Sequence, residues 1–371
     1  MNKIKNWTTY NVKINILTPV IINSGDAYEY GELFFDKESN KLYKINLLNL
    51  IKTMDSKDRE KYINAVSEGI ETRAKHFDNT AKALILKTLK DNPTEIPNII
   101  ARPLSYLSSG EDLLKNKPFQ SIEKSIVKKI NDKPYIPGSS IKGALRTALI
   151  QSIVSNKDIK ENDYIENFRG RDKYIKTKDF ESFVMNVRKG DVKNDPFKFI
   201  KVSDFEFLSP SINGYIGEVS IKTKRKPLSV FTSMSDALCI SNKTVSLKGT
   251  ISISSEINNY SELSKFSKFK EILNSLNDFY IQNYNEKRYK LPNKVQDSMR
   301  EIINENLLDD SALLKLGRFS GIENITYNIE QNMSINRKIK NEKINIEGGN
   351  SYALINNLFL PGYCIISEVE D

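Results

Sequence analysis

The sequence predicts an α+β chain, and three observations lead there. Residues 10–16 and 245–254 alternate apolar and polar side chains with period two, the pattern of strands with one buried face. Residues 141–149, 263–279 and 295–303 place apolar side chains three and four apart, as amphipathic helices do. Strands and helices follow one another without the strict alternation of a parallel, doubly wound sheet. With 371 residues, 39% of them hydrophobic, the chain is long enough for two units with their own cores. We expect a first unit over 1–209, with an insertion at about 46–120, and a second over 210–371.

Taken in order, Tyr10, Val12, Ile14 and Ile16 mark the first strand. Residues 31–36 and 41–46 read as a hairpin around Asp36-Lys37-Glu38-Ser39-Asn40. The pattern then turns helical from Leu47 to about Leu89. Residues 92–120 carry Pro93, Pro97, Pro103 and Pro118 and read as extended loop. Ile122–Ile130 reads as a strand leading to a helix start at 134–150, and helical and polar stretches fill 151–195. Phe199–Leu208 is a further strand. In the second half Tyr215, Gly217, Val219 and Ile221 alternate along one strand and Val245, Leu247, Gly249, Ile251 and Ile253 along another, which suits one half-buried sheet. Two helices follow, and residues 358–369 form a last strand broken near Pro361-Gly362.

The chemistry centres on Pro134-Tyr135-Ile136-Pro137-Gly138-Ser139-Ser140-Ile141-Lys142-Gly143-Ala144-Leu145-Arg146. The prolines favour extended backbone before the helix, and Ser139 or Ser140 can cap it. Lys142 and Arg146 lie four apart and share a face beside an N-terminus whose amides favour an anion. This is a phosphate site in outline. An ordinary capped surface helix with two solvated cations accounts for the same spacing.

The string I-P-G-S-S-I-K-G-A-L-R closely resembles the signature of the RAMP superfamily, the repeat-associated mysterious proteins of CRISPR effector complexes. Weaker likenesses are Ile16–Gly25, Lys201-Val202-Ser203-Asp204, Leu316–Gly321 and Leu360-Pro361-Gly362-Tyr363. Length, insertion and basic second half look most like the head subunits of type III-A (Csm) effectors. The resemblance implies two ferredoxin-like (RRM-like) domains with a mainly helical insertion. It also implies a non-catalytic subunit that binds the crRNA toward its 3′ end, caps the backbone filament and supports crRNA maturation in antiviral defence. Its implied partners are crRNA, target RNA, other RAMP and small subunits of the Csm complex, and a recruited host ribonuclease.

Charge agrees with a polyanionic partner: 56 Lys and Arg against 47 Asp and Glu give a net +9. The most basic run, Lys222-Thr223-Lys224-Arg225-Lys226, can track a phosphate backbone, although a basic turn is as often a solvated face. In Gly317-Arg318-Phe319-Ser320-Gly321 two glycines flank a cation and an aromatic ring, which suits backbone approach to ribose-phosphate and stacking on a base. A helix C-cap leading into the next strand is the commoner use of such a loop. The candidate RNA contacts are therefore Ser139, Ser140, Lys142, Arg146, Lys222, Lys224, Arg225, Lys226, Gly317, Arg318, Phe319 and Gly321.

Two cysteines, Cys239 and Cys364, and one histidine, His76, cannot build a Cys/His zinc site or a disulfide framework. No cofactor or metal is expected, and the compartment reads as reducing cytosol. Residues 1–7 lack an apolar signal core and no apolar stretch approaches membrane-spanning length, so no membrane partner is expected. An enzyme is the competing class. Backbone RAMP subunits cleave target RNA with an aspartate after the first strand, but this chain reads Tyr30-Gly31-Glu32-Leu33-Phe34-Phe35-Asp36, which leaves Asp26 or Asp36 as stand-ins. A guide-processing ribonuclease would have to use His76, for which only Lys75 stands nearby.

Overall fold

The computed structural model describes residues 6–29, 31–36, 41–71, 79–106, 122–128, 133–157, 177–188, 192–208, 214–223, 231–238, 245–284, 291–319, 324, 327–330, 333–335 and 351–369. The early strands are β1 (Trp7–Ile16), β2 (Asn23–Ala27), β3 (Leu33–Asp36), β4 (Lys41–Ile45), β5 (Ile100–Tyr106), β6 (Ile122–Ser125), β7 (Val127–Lys128) and β8 (Lys133–Ile136). The later ones are β9 (Ile200–Val202), β10 (Phe205–Phe207), β11 (Gly214–Thr223), β12 (Phe231–Leu238), β13 (Val245–Ser254), β14 (Ser311–Lys315), β15 (Tyr327–Glu330), β16 (Met333–Ile335), β17 (Ser351–Ile355) and β18 (Tyr363–Glu368). The helices are α1 (Leu47–Thr53), α2 (Ser56–Glu71), α3 (Asn79–Asp91), α4 (Ile96–Ile99), α5 (Gly138–Lys157), α6 (Thr177–Val184), α7 (Phe269–Asn283) and α8 (Asn293–Asn306).

The fold is α+β, built on two eight-stranded sheets, with β15 and β16 forming a separate two-stranded antiparallel sheet. The first runs β14-β18-β1-β13-β10-β8-β7, with β9 also on β13, and is antiparallel throughout. The period-two pattern of β1 sets its orientation. Val12, Ile14 and Ile16 are buried on one face together with Leu247 and Ile251, and α5 and α7 contribute Ile141, Leu145, Leu149, Ile272 and Leu276 to the same core. Tyr10 stacks on Phe269 with ring centroids 5.4 Å apart. The second sheet runs β2-β6-β12-β11-β5-β4-β3, with β17 on β11, and α1 to α3 cover part of it with a core that includes Phe34, Leu50, Tyr62 and Ile85.

Several expectations change. Residues 92–106 are ordered structure: a 3-10 turn, α4 and β5 take the place of the expected loop. Pro103 lies opposite Tyr43 of β4, and among the described residues the parallel ladder of β5 with β11 runs from Leu104 onward. The strands expected to share a sheet do not, since β11 lies in the second sheet and β13 in the first. Between them β12 pairs with β11 over eight residues; its sequence, FTSMSDAL, carries too little apolar alternation to read as a strand. The expected 122–130 strand is split at Ile126, with β6 in the second sheet and β7 in the first. Each of the two large sheets takes strands from both sides of the expected 209/210 division: β1 lies between β13 and β18, and β11 between β5 and β12.

Candidate nucleic-acid interface

The helix start is a tight junction between two of the sequence motifs. The helix α5 begins at Gly138, so Pro137 occupies the cap position, and the Ser140 and Ile141 amides turn back onto the Pro137 carbonyl at 2.9 and 3.4 Å. Ser139 and Ser140 therefore lie in the first turn and are not its caps, a correction that follows from proline holding the extended geometry one residue earlier. The capping oxygen comes from elsewhere. Asp204 Oδ1 accepts from the Gly138 amide at 2.8 Å, placing a carboxylate where the N-terminal dipole favours one. A Cβ at Gly138 would run into the carbonyl oxygens of Val202 and Ser203, so this glycine serves close backbone approach.

Arg146 is already committed. Its Nε donates to Glu181 Oε2 at 2.8 Å, its Nη1 to Asp195 Oδ2 at 2.7 Å, and its guanidinium lies 4.5 Å from the centre of the Phe197 ring. Burial works against its charge, yet Glu181 and Asp195 outweigh burial and hold its pKa above the usual arginine value. This corrects the reading of Arg146 as a free phosphate ligand: its two carboxylates neutralise it within the chain. Lys142 differs. Burial lowers its pKa, Asp195 opposes, and the neighbouring charges of Arg146 and Lys201 lower it further. Lys201 lies 4.3 Å above the Trp7 ring, so two half-free cations and one aromatic flank the helix start.

The glycine loop follows β14, so it is a strand-to-loop turn and not a helix C-cap. Gly317 has φ +84° and Phe319 φ +64°, conformations that a side chain rarely adopts. The loop presses on the segment after β1: the Arg318 amide donates to the Ile21 carbonyl at 2.7 Å, and a Cβ at Gly317 would strike that same oxygen. Gly362, at φ +89°, donates to the Pro19 carbonyl and accepts from the Leu316 amide at 2.9 and 2.8 Å. Three of the sequence likenesses thus meet in one hydrogen-bonded knot. Arg318 Nη1 contacts both oxygens of Glu123 at 2.6 and 2.5 Å and its guanidinium lies 4.8 Å from the Phe319 ring.

The candidates do not converge on one pocket. In an all-antiparallel sheet the C-terminal ends of β8 and β14, five strand positions apart, point in opposite directions, so the helix start and the glycine knot lie at opposite ends of the first sheet. Lys222 sits near the end of β11 in the second sheet, opposite Tyr352 of β17. Lys224, Arg225, Lys226, Gly321 and His76 lie outside the described residues. Sequence reading quoted Asp204 within a motif without its capping role and missed Glu123, because their partners Gly138 and Arg318 are far away in the chain. Of the acids near the first strand, Glu32 is ion-paired with Lys124 at 2.7 Å and Asp26 is exposed on β2, while Leu33, Phe34 and Phe35 are buried parts of β3. Cys364 is buried, and burial pushes its thiol pKa up, away from reactivity.

Comparison with known proteins adds a family. The RAMP superfamily description matches residues 13–339. A Methanocaldococcus jannaschii protein named CRISPR system Cms protein Csm5 is 26% identical over 375 residues, covering 94% of this chain and 81% of its own. A protein of the same name from Enterococcus italicus is 29% identical over 149 residues, 38% of this chain and 42% of its own. A chain in the cryo-EM structure of a Csm-crRNA-target RNA ternary complex of a type III-A CRISPR-Cas system superposes with a TM-score of 0.61 at 13% identity, covering 97% of this chain and all of that one. The crystal structure of T. onnurineus Csm5 gives 0.59 at 15% identity, covering 95% and 99%. At these identities the two structures show a shared fold. Among the described residues no helix is long and apolar enough to cross a membrane.

Proposed function

This chain belongs to the RAMP superfamily, and from that premise we propose that it is a non-catalytic RNA-binding subunit of a type III-A CRISPR (Csm) complex. In this reading it binds the crRNA toward its 3′ end, caps the backbone filament against neighbouring RAMP and small subunits, and supports crRNA maturation. The observation that carries the proposal is the likeness to the M. jannaschii Csm5 protein along 94% of this chain. A fold match over whole chains, one of them in a complex with crRNA and target RNA, supports it. The refined contact set is Lys142 with the first turn at Ser139 and Ser140, the basic run at Lys222, Lys224, Arg225 and Lys226, and Gly317, Arg318, Phe319 and Gly321 of the glycine loop sequence. Arg146 holds the helix in place from behind. Recruitment of a host ribonuclease and a cytoplasmic setting belong to the same reading.

Such contacts act on phosphates, so they supply affinity and position but little sequence discrimination. The test is filter binding of guide RNA across a salt series by the purified chain. Replacing Lys224, Arg225 and Lys226 by Ala should weaken binding and flatten the salt slope by about 2 units. Unchanged affinity and slope in a folded variant remove the run from the interface. The alternative reading is a catalytic RAMP endoribonuclease, and it predicts that Asp26→Ala, Asp36→Ala or His76→Ala abolishes RNA cleavage in an assembled complex. We expect wild-type cleavage from each.

A further inference from the structure

We propose that the face of the first sheet turned away from its helices binds single-stranded RNA, which runs along β1 and β13 between the helix start and the glycine knot. Register creates an electrostatic conflict there. Lys13 of β1 stands directly opposite Lys248 of β13, on the face opposite Val12 and Leu247, where paired Cβ atoms lie about 5 Å apart. Like charges so placed destabilise a sheet. Neither lysine has a carboxylate partner among the described residues. The nearest acid across the sheet, Glu206, is opposite Lys248 on β10 but ion-paired with Lys128. On the other side Lys13 faces Ser367 of β18.

The rest of the face suits a polyanion with bases. Thr9, Asn11, Ser246, Thr250 and Ser252 offer short polar groups, with Thr9 and Ser252 sharing a hydrogen bond of 2.9 Å. Tyr135 ends the row Lys13-Lys248-Glu206-Tyr135 at one side, and Trp7 with Lys201 above it lies at the helix-start end. Cations spaced among half-exposed aromatic rings on an open sheet are what a single strand needs, phosphates on the lysines and bases on the rings. The ten residues of β1 span about 33 Å, from Trp7 to the turn that contacts Gly317. The choice of RNA as the polyanion rests on the function proposed above, but the surface is separate from the contacts named there.

The test uses the full chain and a fluorescein-labelled 20-nucleotide oligouridine, by anisotropy over a salt series, with Lys13→Gln and Lys248→Gln combined. We expect about tenfold weaker binding and a salt slope shallower by about 1.4 units. The melting temperature should be unchanged or higher, since the variant relieves like-charge repulsion. If the wild type binds and the double variant keeps its affinity and slope, the open face is not the RNA surface, while the function proposed above stands. If the wild type does not bind oligouridine at all, both readings fall. A variant that binds RNA normally but no longer assembles with its neighbouring subunits overturns the proposal in favour of an acidic protein partner.

Discussion

Arg146 shows how a cation that the sequence offers to a phosphate is consumed inside the fold. It is held by Glu181, whose side chain is 9% exposed, and by Asp195. Arg146→Ala strands the Glu181 charge, so chemical denaturation should show a loss of about 2–3 kcal/mol, below the cost of breaking a fully buried pair because Asp195 is partly solvated. A loss under about 0.5 kcal/mol would contradict the bracing role. Asp204→Ala removes the acceptor of the Gly138 amide and should cost about 1 kcal/mol, whereas Asp204→Asn, which keeps an acceptor, should cost less. Lys142 carries a sign that can be checked. Burial holds its folded pKa below the ordinary 10.5, so the folded chain binds its proton less tightly than the unfolded chain. Its charge therefore subtracts stability below the folded pKa, and that loss is recovered as pH rises from the folded pKa toward 10.5. Lys142→Met should raise the melting temperature at neutral pH, with a gain that shrinks in alkali; a drop at neutral pH would mean the ammonium is stabilised. Lys142 and Arg146 were both legible as cations on one helix face. Their opposite roles were not, because Glu181 and Asp195 come from segments that only the folded chain brings near.

Among the elements, β1, α5 and α7 could be read from the sequence because each repeats its apolar positions at its own period over seven or more residues. β12 and β17 could not, since FTSMSDAL is mostly small and polar and SYALI is short, and both gain their place from pairing with β11. β5 was hidden by Pro103, a residue that reads as a strand breaker and here lies opposite Tyr43 of β4. The glycine knot ties β1, β14 and β18 through backbone bonds and the Thr18 hydroxyl, which accepts from the Tyr363 amide at 2.8 Å, so its motifs were legible one by one and their meeting was not. Gly362→Ala forces a Cβ onto the Leu316 carbonyl and imposes a positive φ on a side chain, and should destabilise the chain by about 1–3 kcal/mol. Thermal melting at wild-type midpoint would contradict the packing described for the knot.

At the scale of the whole molecule, each sheet takes strands from both halves of the sequence, so the chain should unfold as a unit rather than as halves divided at 209. A piece ending at 209 loses β13 and β18, the two neighbours of β1. It should show no cooperative melt by circular dichroism, and a sharp transition in that piece would restore an independent first unit. The same interlacing sets the helix start and the glycine knot at the two ends of one sheet, which fits a subunit that lies along an RNA rather than one that closes a pocket around a scissile bond. The most direct test of that account is ultraviolet crosslinking of the assembled complex, followed by sequencing of the crRNA attached to this chain. The account predicts adducts concentrated in the 3′ portion of the guide. Adducts confined to its 5′ end, or a complex in which this chain captures no guide at all, would contradict it.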